Sequence, residues 1–399
     1  MSTENQDTAA GWSPQPVIEW LFTTGCMMKN DTQFVYELGH RLVDGGAPVD
    51  RLRIIMRTLH PELVGAANSW TRSTDRSIHI KTERRIRETD KYIGSPMQQL
   101  VETEKSIRQR LDQLPEDAHG AYTELCEEGF TDYLALPVMT ADGFSSAFII
   151  ITARGGGFSD QDIENFRLVR KYLVPILEVQ SLRHLSKSLL NTYVGKRTGE
   201  KVLAGMIKRG DADIIKAALW FIDLRDFTQI TETLAADQVL GMLNDYFEFV
   251  AAAVTARGGE ILRFIGDAML IVFPIDADIG DRSACNAAID AAIDAQNTLA
   301  SLNHRRRRHG QPEIEFGVGL NVGEVIYGNV GAPDRLDFTV MGPAVNRAAR
   351  LESLTRELGR SILFSNEFAG LIDEPAQLLG SYDMKGIAER QAVFALQSE

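Results

Sequence analysis

Apolar residues along this chain fall into two registers, one recurring every three or four positions and one in short, nearly unbroken runs. The first marks helices. It predicts largely helical structure from Glu19 to Leu63, where Phe34, Leu38 and Leu42, then Leu52, Ile55 and Leu59, flank the turn Gly45–Pro48. From Asn68 to Ala121 the pattern weakens into polar, charged sequence. There only ERRIRETDKYIGSPMQQLVE (83–102) reads as an extended piece leading into a helix. Two strand-like runs follow, TDYLALPVM and SSAFIIITA, joined by TADGF, whose Asp142–Gly143 suits a tight hairpin. Ser159 is a good N-cap with acids after it, and Ile163, Phe166, Val169, Leu173 and Leu177 form the stripe of a helix that Pro175 can kink.

The second half reads strand, helix, strand, turn, strand, helix, strand. ALWFID is the first strand, and a helix spans about Ala235 to Arg257, with Val239, Leu243, Phe247, Val250 and Val254 on one face and Gly258–Gly259 as its stop. ILRFI and AMLIVF flank Gly266–Asp267, which places that aspartate at a hairpin tip. An alanine-rich helix from Arg282 to about Asn303 precedes the strand IEFGVGLNV. The order β-α-β-β-α-β is the ferredoxin-like pattern, so the fold class is mixed α/β (α+β).

Composition narrows the function. The 399 residues suffice for two or three domains at roughly 100–200 residues each. A net charge of −13 disfavours nucleic-acid binding, which calls for excess Lys and Arg. Cys26, Cys126 and Cys285 show no paired spacing, against a disulfide framework or zinc site and in keeping with a reduced cytoplasm. Residues 1–18 form a polar tail unlike a secretory signal, and no apolar run approaches the ~18 residues of a membrane span. The expectation is a soluble, cytoplasmic protein with no membrane or nucleic-acid partner.

Two aspartates, Asp223 and Asp267, interrupt strands that read as buried. A carboxylate there is costly unless paired, and a divalent metal is a strong partner. One at a strand end and one on the central hairpin can meet at one edge of a ferredoxin-like sheet. A two-metal site needs this, with ions about 3.5–4 Å apart, and Mg²⁺ accepts one or two protein carboxylates. The basic run Arg305–Arg308 reads instead as a solvated helix-to-strand loop, because four adjacent arginines cannot face one ligand. His40, His60, His119 and Cys126 read as packing or surface residues.

Taken together, FIDLRDFT, RFIGDAMLIVF, GNVGAPDRLDFTVMGPAVNRAARLE and MKGIAERQAVFAL resemble, in order and spacing, the catalytic domain of class III adenylyl and guanylyl cyclases, over about Ala217 to Leu396. The resemblance implies a palm-type domain (216–399) in which the 3′-hydroxyl of a nucleoside triphosphate attacks its own α-phosphorus. It implies two Mg²⁺ or Mn²⁺ ions on Asp223, Asp267 and the backbone carbonyl of Ile222 or Leu224. Asn346 would orient the ribose, Arg350 would stabilise charge on the α-phosphate, and Lys385 would bind the terminal phosphates. Arg263 stands where ATP-using members place lysine, and Thr339 occupies the second base-reading position, as in the threonine-type subgroup. A cation at 263 argues for ATP over GTP, since guanine-specific members carry an acid there. Asn321 replaces a histidine common in the family, with a packing consequence expected. The family shares each site between two domains, and this chain carries both residue sets, so a homodimer is implied. A guanylate cyclase and a catalytically degenerate nucleotide-binding or dimerisation module are the alternatives. The hairpin reads IGDAM, not GGDEF, which excludes a diguanylate cyclase.

The pattern over Asp132 to Leu182, a strand hairpin, a Phe-Ser-Asp helix start and a long exit helix, resembles the C-terminal half of a GAF-type sensory domain. It implies a regulatory or dimerisation module (19–182) with a small-ligand pocket, dimerisation or both, and an unknown regulator. A helical connector (183–215) carries Leu182, Leu185 and Leu189, too short a stripe to establish a coiled coil.

Overall fold

Alternating burial decides the first sheet. In the computed structural model, which describes residues 11–57, 63–140, 143–387 and 389–397, Leu52, Ile54 and Met56 are buried and their neighbours are not. Residues 51–57 are therefore a strand, not the helix that the spacing of Leu52 and Ile55 predicts; Leu59 and His60 lie outside the described residues. Chance placement of apolar residues at three-residue steps mimicked a helix, whereas hydrogen bonding to a strand on each side fixed the extended form.

The chain divides into two units, Met1–Leu189 and Leu190–Glu399. The first holds α1 (Gln15–Thr23), α2 (Asp31–Asp44), β1 (Arg51–Arg57), β2 (Leu63–Thr71), β3 (Arg76–Glu83), α3 (Pro96–Thr103), β4 (Ile107–Arg110), α4 (Gly120–Glu127), β5 (Asp132–Thr140) and β6 (Gly143–Thr152). The strands form one antiparallel sheet, ordered β3-β2-β1-β6-β5-β4. Much of the weakly patterned 68–121 stretch thus supplies strands. Leu52 and Ile54 pack with Phe34, Leu38 and Phe166 on one face, and Tyr133, Ile149 and Ile151 with Leu100 and Tyr122 on the other. Helix α5 (Asp160–Val194) begins as its sequence predicts. Ser159 Oγ accepts from Asp162 N (3.2 Å) and Asp162 Oδ2 accepts from Ser159 N (2.8 Å), a reciprocal cap. It runs on through Pro175 and past Leu182–Arg183 without a break.

The second unit contains α6 (Lys196–Leu203), β7 (Ala212–Leu224), α7 (Phe227–Thr233), α8 (Ala236–Ala256), β8 (Glu260–Ile265), β9 (Ala268–Ile275), α9 (Asp281–Arg308), β10 (Phe316–Ala332), β11 (Arg335–Met341), α10 (Pro343–Glu357), β12 (Ile362–Ser365), α11 (Asn366–Ala369), β13 (Ala376–Tyr382) and β14 (Gln391–Leu396). The predicted β-α-β-β-α-β order is present as β7-α8-β8-β9-α9-β10. The sheet runs β13-β14-β12-β10-β7-β9-β8, with β11 paired to β10. Helices α8 and α9 bury Tyr246, Val250, Ala288 and Ala292 against Trp220 and Ile222. Among the described residues α8 alone is long and apolar enough to cross a membrane; its Tyr246–Val250–Val254 face is core.

Two readings of loops and packing change. Helix α9 extends through all four arginines, so Arg305–Arg308 form its last turn. Arg306 is buried, donates to Pro312 O (2.8 Å) and pairs with Asp245 (3.3 Å), while Arg307 pairs with Glu313 (2.8 Å). Cations at a helix C-terminus are favoured by its dipole, which the loop reading left out. Asn321, fully buried, does more than fill space: its Nδ2 donates to Ala344 O (2.9 Å), tying the first turn of α10 to β10.

Close approach of α10 to β10 requires glycine. A Cβ on Gly319 would drive into the α10 backbone, including Leu351 C at 3.0 Å. Gly319→Ala should therefore destabilise the second unit by about 1–3 kcal/mol, the usual cost of overpacking. Denaturant unfolding checks this, and an unchanged midpoint would show that α10 shifts freely.

Candidate active site

Period-two alternation decides what Asp223 faces. Ala217, Leu219 and Phe221 lie on the α10 side of β7, and Asp223 continues that face one residue before the strand ends. Asp267 reaches the same sheet end by a turn. Ile265 pairs with Ala268, leaving Gly266–Asp267 as a two-residue loop with Gly266 at φ 66°. A glycine at the first loop position permits the primed turn that matches strand twist, and the residue after it is projected from the tip. Since β7 and β9 are neighbours, with Ile222 opposite Met269, the two carboxylates converge.

Their proximity has an electrostatic signature. Burial first, then the charge of Asp267 and a hydrogen bond to it, push the Asp223 carboxyl up to about 7. Only the Leu224 N–H, which donates to Asp223 Oδ1 (3.1 Å), acts in the opposite direction. No cation is among the groups acting on Asp223. Two converging carboxylates without a counter-ion are a donor set for a hard divalent ion, and Leu224, closing β7 beside them, offers a backbone carbonyl. Among the described residues no three His, Cys, Asp or Glu side chains form a ready-made cage. Mg²⁺ fits that economy, because it keeps water and substrate phosphates as its other ligands.

The remaining predicted residues are positioned without touching this pair. Asn346 and Arg350 share one exposed face of α10, and neither side chain has a hydrogen-bond or ion-pair partner among the described residues. Lys385, between β13 and β14, is likewise exposed and without an ion-pair partner among the described residues. Thr339 is buried on β11, opposite Gly328 of β10. Arg263, on β8, forms an ion pair with Asp337, two residues before Thr339 on β11. That contact links β8 to β11, and it occupies the guanidinium with a carboxylate to which the motifs gave no role.

Three further groups belong to the site. Glu352 of α10 lies over Gly317, the residue registered against Asp223; a Cβ at Gly317 would stand 2.9 Å from Glu352 Oε1. Burial, then the charge of Asp223, push the Glu352 carboxyl up to about 7. Tyr246 of α8 is buried, its hydroxyl has no partner, and burial followed by Asp223 and Asp267 raises its pKa far above the phenolic value. Glu352 stands inside the VNRAARLE motif, but the sequence offers no sign that it points away from Asn346 and Arg350 toward the aspartates. Asp337, the third, carries no periodic or spacing signal.

These shifts set a pH dependence. In the unfolded chain both carboxyls titrate near 4, whereas in the folded chain Asp223 and Glu352 hold their protons to about 7. Between those values the folded state binds more protons, so metal-free stability falls as pH rises from about 4 and levels off above about 7. Asp267→Asn removes one repelling charge and should make the fall shallower, measured by denaturant midpoints across that range. Mn²⁺ at pH 7.5 should raise the midpoint of the wild type and leave that of the variant nearly unchanged.

Comparison with known proteins concerns the second unit. Residues 212–397 match the family model "Adenylate and Guanylate cyclase catalytic domain". "Adenylate cyclase 1" of Rhizobium meliloti is 34% identical over 145 residues, 36% of this chain and 22% of that protein. The terminal-differentiation-specific adenylate cyclase of Dictyostelium discoideum is 37% identical over 190 residues, 46% of this chain but 9% of its own length. Among solved structures, the adenylyl cyclase CyaB from P. aeruginosa is 28% identical, with TM-score 0.44 over 47% of this chain and 96% of that one. The chain thus spans under a third of the length of these curated relatives, and the shared part is one domain. By its motifs and its matching family model, the segment 212–397 is similar to the adenylate and guanylate cyclase catalytic domain.

Proposed function

We propose that this chain is an adenylate cyclase that converts ATP to 3′,5′-cyclic AMP and pyrophosphate at sites shared between two copies of itself. The observation that carries the reading is the converging Asp223–Asp267 pair, repelling and without a cation, while the cations the reaction needs stand exposed and unpaired elsewhere on the same chain. A site completed by a second copy reconciles the two.

In this reading Asp223, Asp267 and the Leu224 carbonyl hold two divalent ions, Mg²⁺ or Mn²⁺. When bound, these lower the pKa of the 3′-hydroxyl and neutralise the triphosphate. Asn346 of the second copy holds the ribose so that the 3′-oxygen lies in line with the α-phosphorus. As the new P–O bond forms and the bond to the β-phosphate oxygen breaks, Arg350 meets the growing charge on the α-phosphate with a planar, permanently cationic fork. Lys385 holds the departing pyrophosphate. Thr339 and Arg263 face the base: adenine offers an acceptor at N1 and a donor at its amino group, which the hydroxyl and guanidinium can satisfy between them. The N-terminal unit, read as GAF-like, regulates the reaction through α5 in response to a small molecule or protein.

One observation favours a second reading, a guanylate cyclase. Asp337 beside Arg263 brings a hydrogen-bond acceptor to the base-reading position, and guanine presents donors there. Initial rates with ATP and with GTP separate the two. Turnover of ATP should dominate, and Arg263→Lys should keep it; preferential turnover of GTP would overturn the base assignment.

Complementation tests the shared site. Asp267→Ala and Arg350→Ala should each lower kcat by at least about 10²-fold, the scale of losing one charge-stabilising group. An equal mixture should recover about a quarter of wild-type cyclic AMP production, from the one intact site in each mixed dimer. A mixture that forms mixed dimers yet stays inactive would refute the proposal.

A further inference from the structure

The N-terminal sheet holds a guanidinium, that of Arg53, with no hydrogen bond or ion pair among the described residues. On the face of β1 opposite Leu52 and Ile54 lies a cavity of about 330 Å³, at the lower end of the range of about 300–1,000 Å³ for ligand pockets. Arg53 and Ile55 of β1, Tyr133 of β5, and Ile149 and Ile151 of β6 form its floor. The 84–103 segment and α4 wall it, Met97 and Tyr122 among their contributions.

Arg53 is largely buried there. Its Nε is shielded from solvent without a hydrogen-bond partner, and among the described residues its guanidinium makes no hydrogen bond or ion pair. Arg51, two residues earlier, is satisfied instead: it is bound by both oxygens of Glu128 (2.5 and 3.3 Å) and sits 4.6 Å over the Phe130 ring. The nearest acid is therefore already engaged. A lysine so placed could shed its proton; an arginine keeps its charge. Elsewhere the lining carries Arg51, Arg57, Arg87 and Lys91 against Glu124 and Glu128, an excess of basic groups. A permanent cation shielded from water is costly unless an anion meets it, and the guanidinium fork matches a carboxylate by two parallel hydrogen bonds. The aliphatic floor suits an apolar body and disfavours a ligand polar on every side.

We propose that this cavity binds a small amphipathic carboxylate, its carboxyl group held bidentately by Arg53 and its apolar body against Ile55, Ile149 and Ile151. Calorimetric titration of the full chain with octanoate and phenylacetate, against octanol and octyltrimethylammonium, tests it. Heat of binding is the readout, so the outcome is independent of the cyclase reaction. At least one of the two carboxylates should bind at one per chain and at least tenfold tighter than octanol, with the ammonium compound weakest. Arg53→Met should erase the preference for carboxylate over octanol without lowering the unfolding midpoint of the ligand-free protein, because it removes an unpaired charge. Ile149→Trp should fill the cavity and abolish binding of every probe. Equal affinity for octanoate and octanol, carboxylate binding that survives Arg53→Met, or no binding of either carboxylate would overturn the proposal. A ligand-free Arg53→Met protein less stable than wild type would also overturn it, since Arg53 would then be serving a structural partner.

Discussion

The repulsion between Asp223 and Asp267 is the constraint on which the catalytic unit depends. Placing two carboxylates at the same end of adjacent strands raises the energy of the charged folded chain, and the fold bears this only because the rest of the sheet is buried on both faces. Trp220, Ile222 and Phe273 under α8 and α9 hold β7 and β9 in register, so the carboxylates cannot move apart. Gly317 and Gly319 let α10 lie so close that Glu352 joins the cluster. The tension is the electrostatic complement of a cation: what destabilises the free protein is what a divalent ion would relieve.

Arg53 shows the same logic with the opposite sign. A side chain that cannot discharge sits shielded in a cavity with an aliphatic floor, while Glu128 of the same cavity is committed to Arg51. In both units the fold spends stability to keep a charge without a partner, and in both the shape around that charge names the missing partner's chemistry. At the sheet end, two oxygens leave room for a hard ion and the phosphates that ride on it. In the cavity, one planar fork above a floor of isoleucines, with more basic than acidic groups around it, suits a flat anion on an apolar body.

Legibility in the sequence followed the range of the interactions. Strands β7, β8 and β9 and helix α8 were readable because each carries its own pattern: Val and Ile runs, a Gly-Asp turn that can adopt only a few conformations, and a long stripe at helical period. Ser159 was readable as a cap because its partner, Asp162, is three residues away. The strand β1 was not, since Leu52 and Ile55 satisfy a helical spacing by accident and only pairing with β2 and β6 makes them extended. Arg306 looked like one of four solvated arginines until Asp245, 61 residues earlier in the chain, was brought beside it.

By itself the sequence determined the catalytic unit's element order, the motif positions Asp223, Asp267, Asn346 and Arg350, and the permanent charge of Arg263, because these rest on local pattern and side-chain chemistry. Tertiary structure alone decided that Asp223 and Asp267 converge, that Glu352 and Tyr246 stand beside them, that Arg263 is already engaged by Asp337, and that Arg53 has no hydrogen-bond or ion-pair partner among the described residues. The physical reason is the same in each case. A pKa or an ion pair is set by which charges lie within a few ångströms and how much water lies between them, and those distances exist only once distant strands and helices have packed.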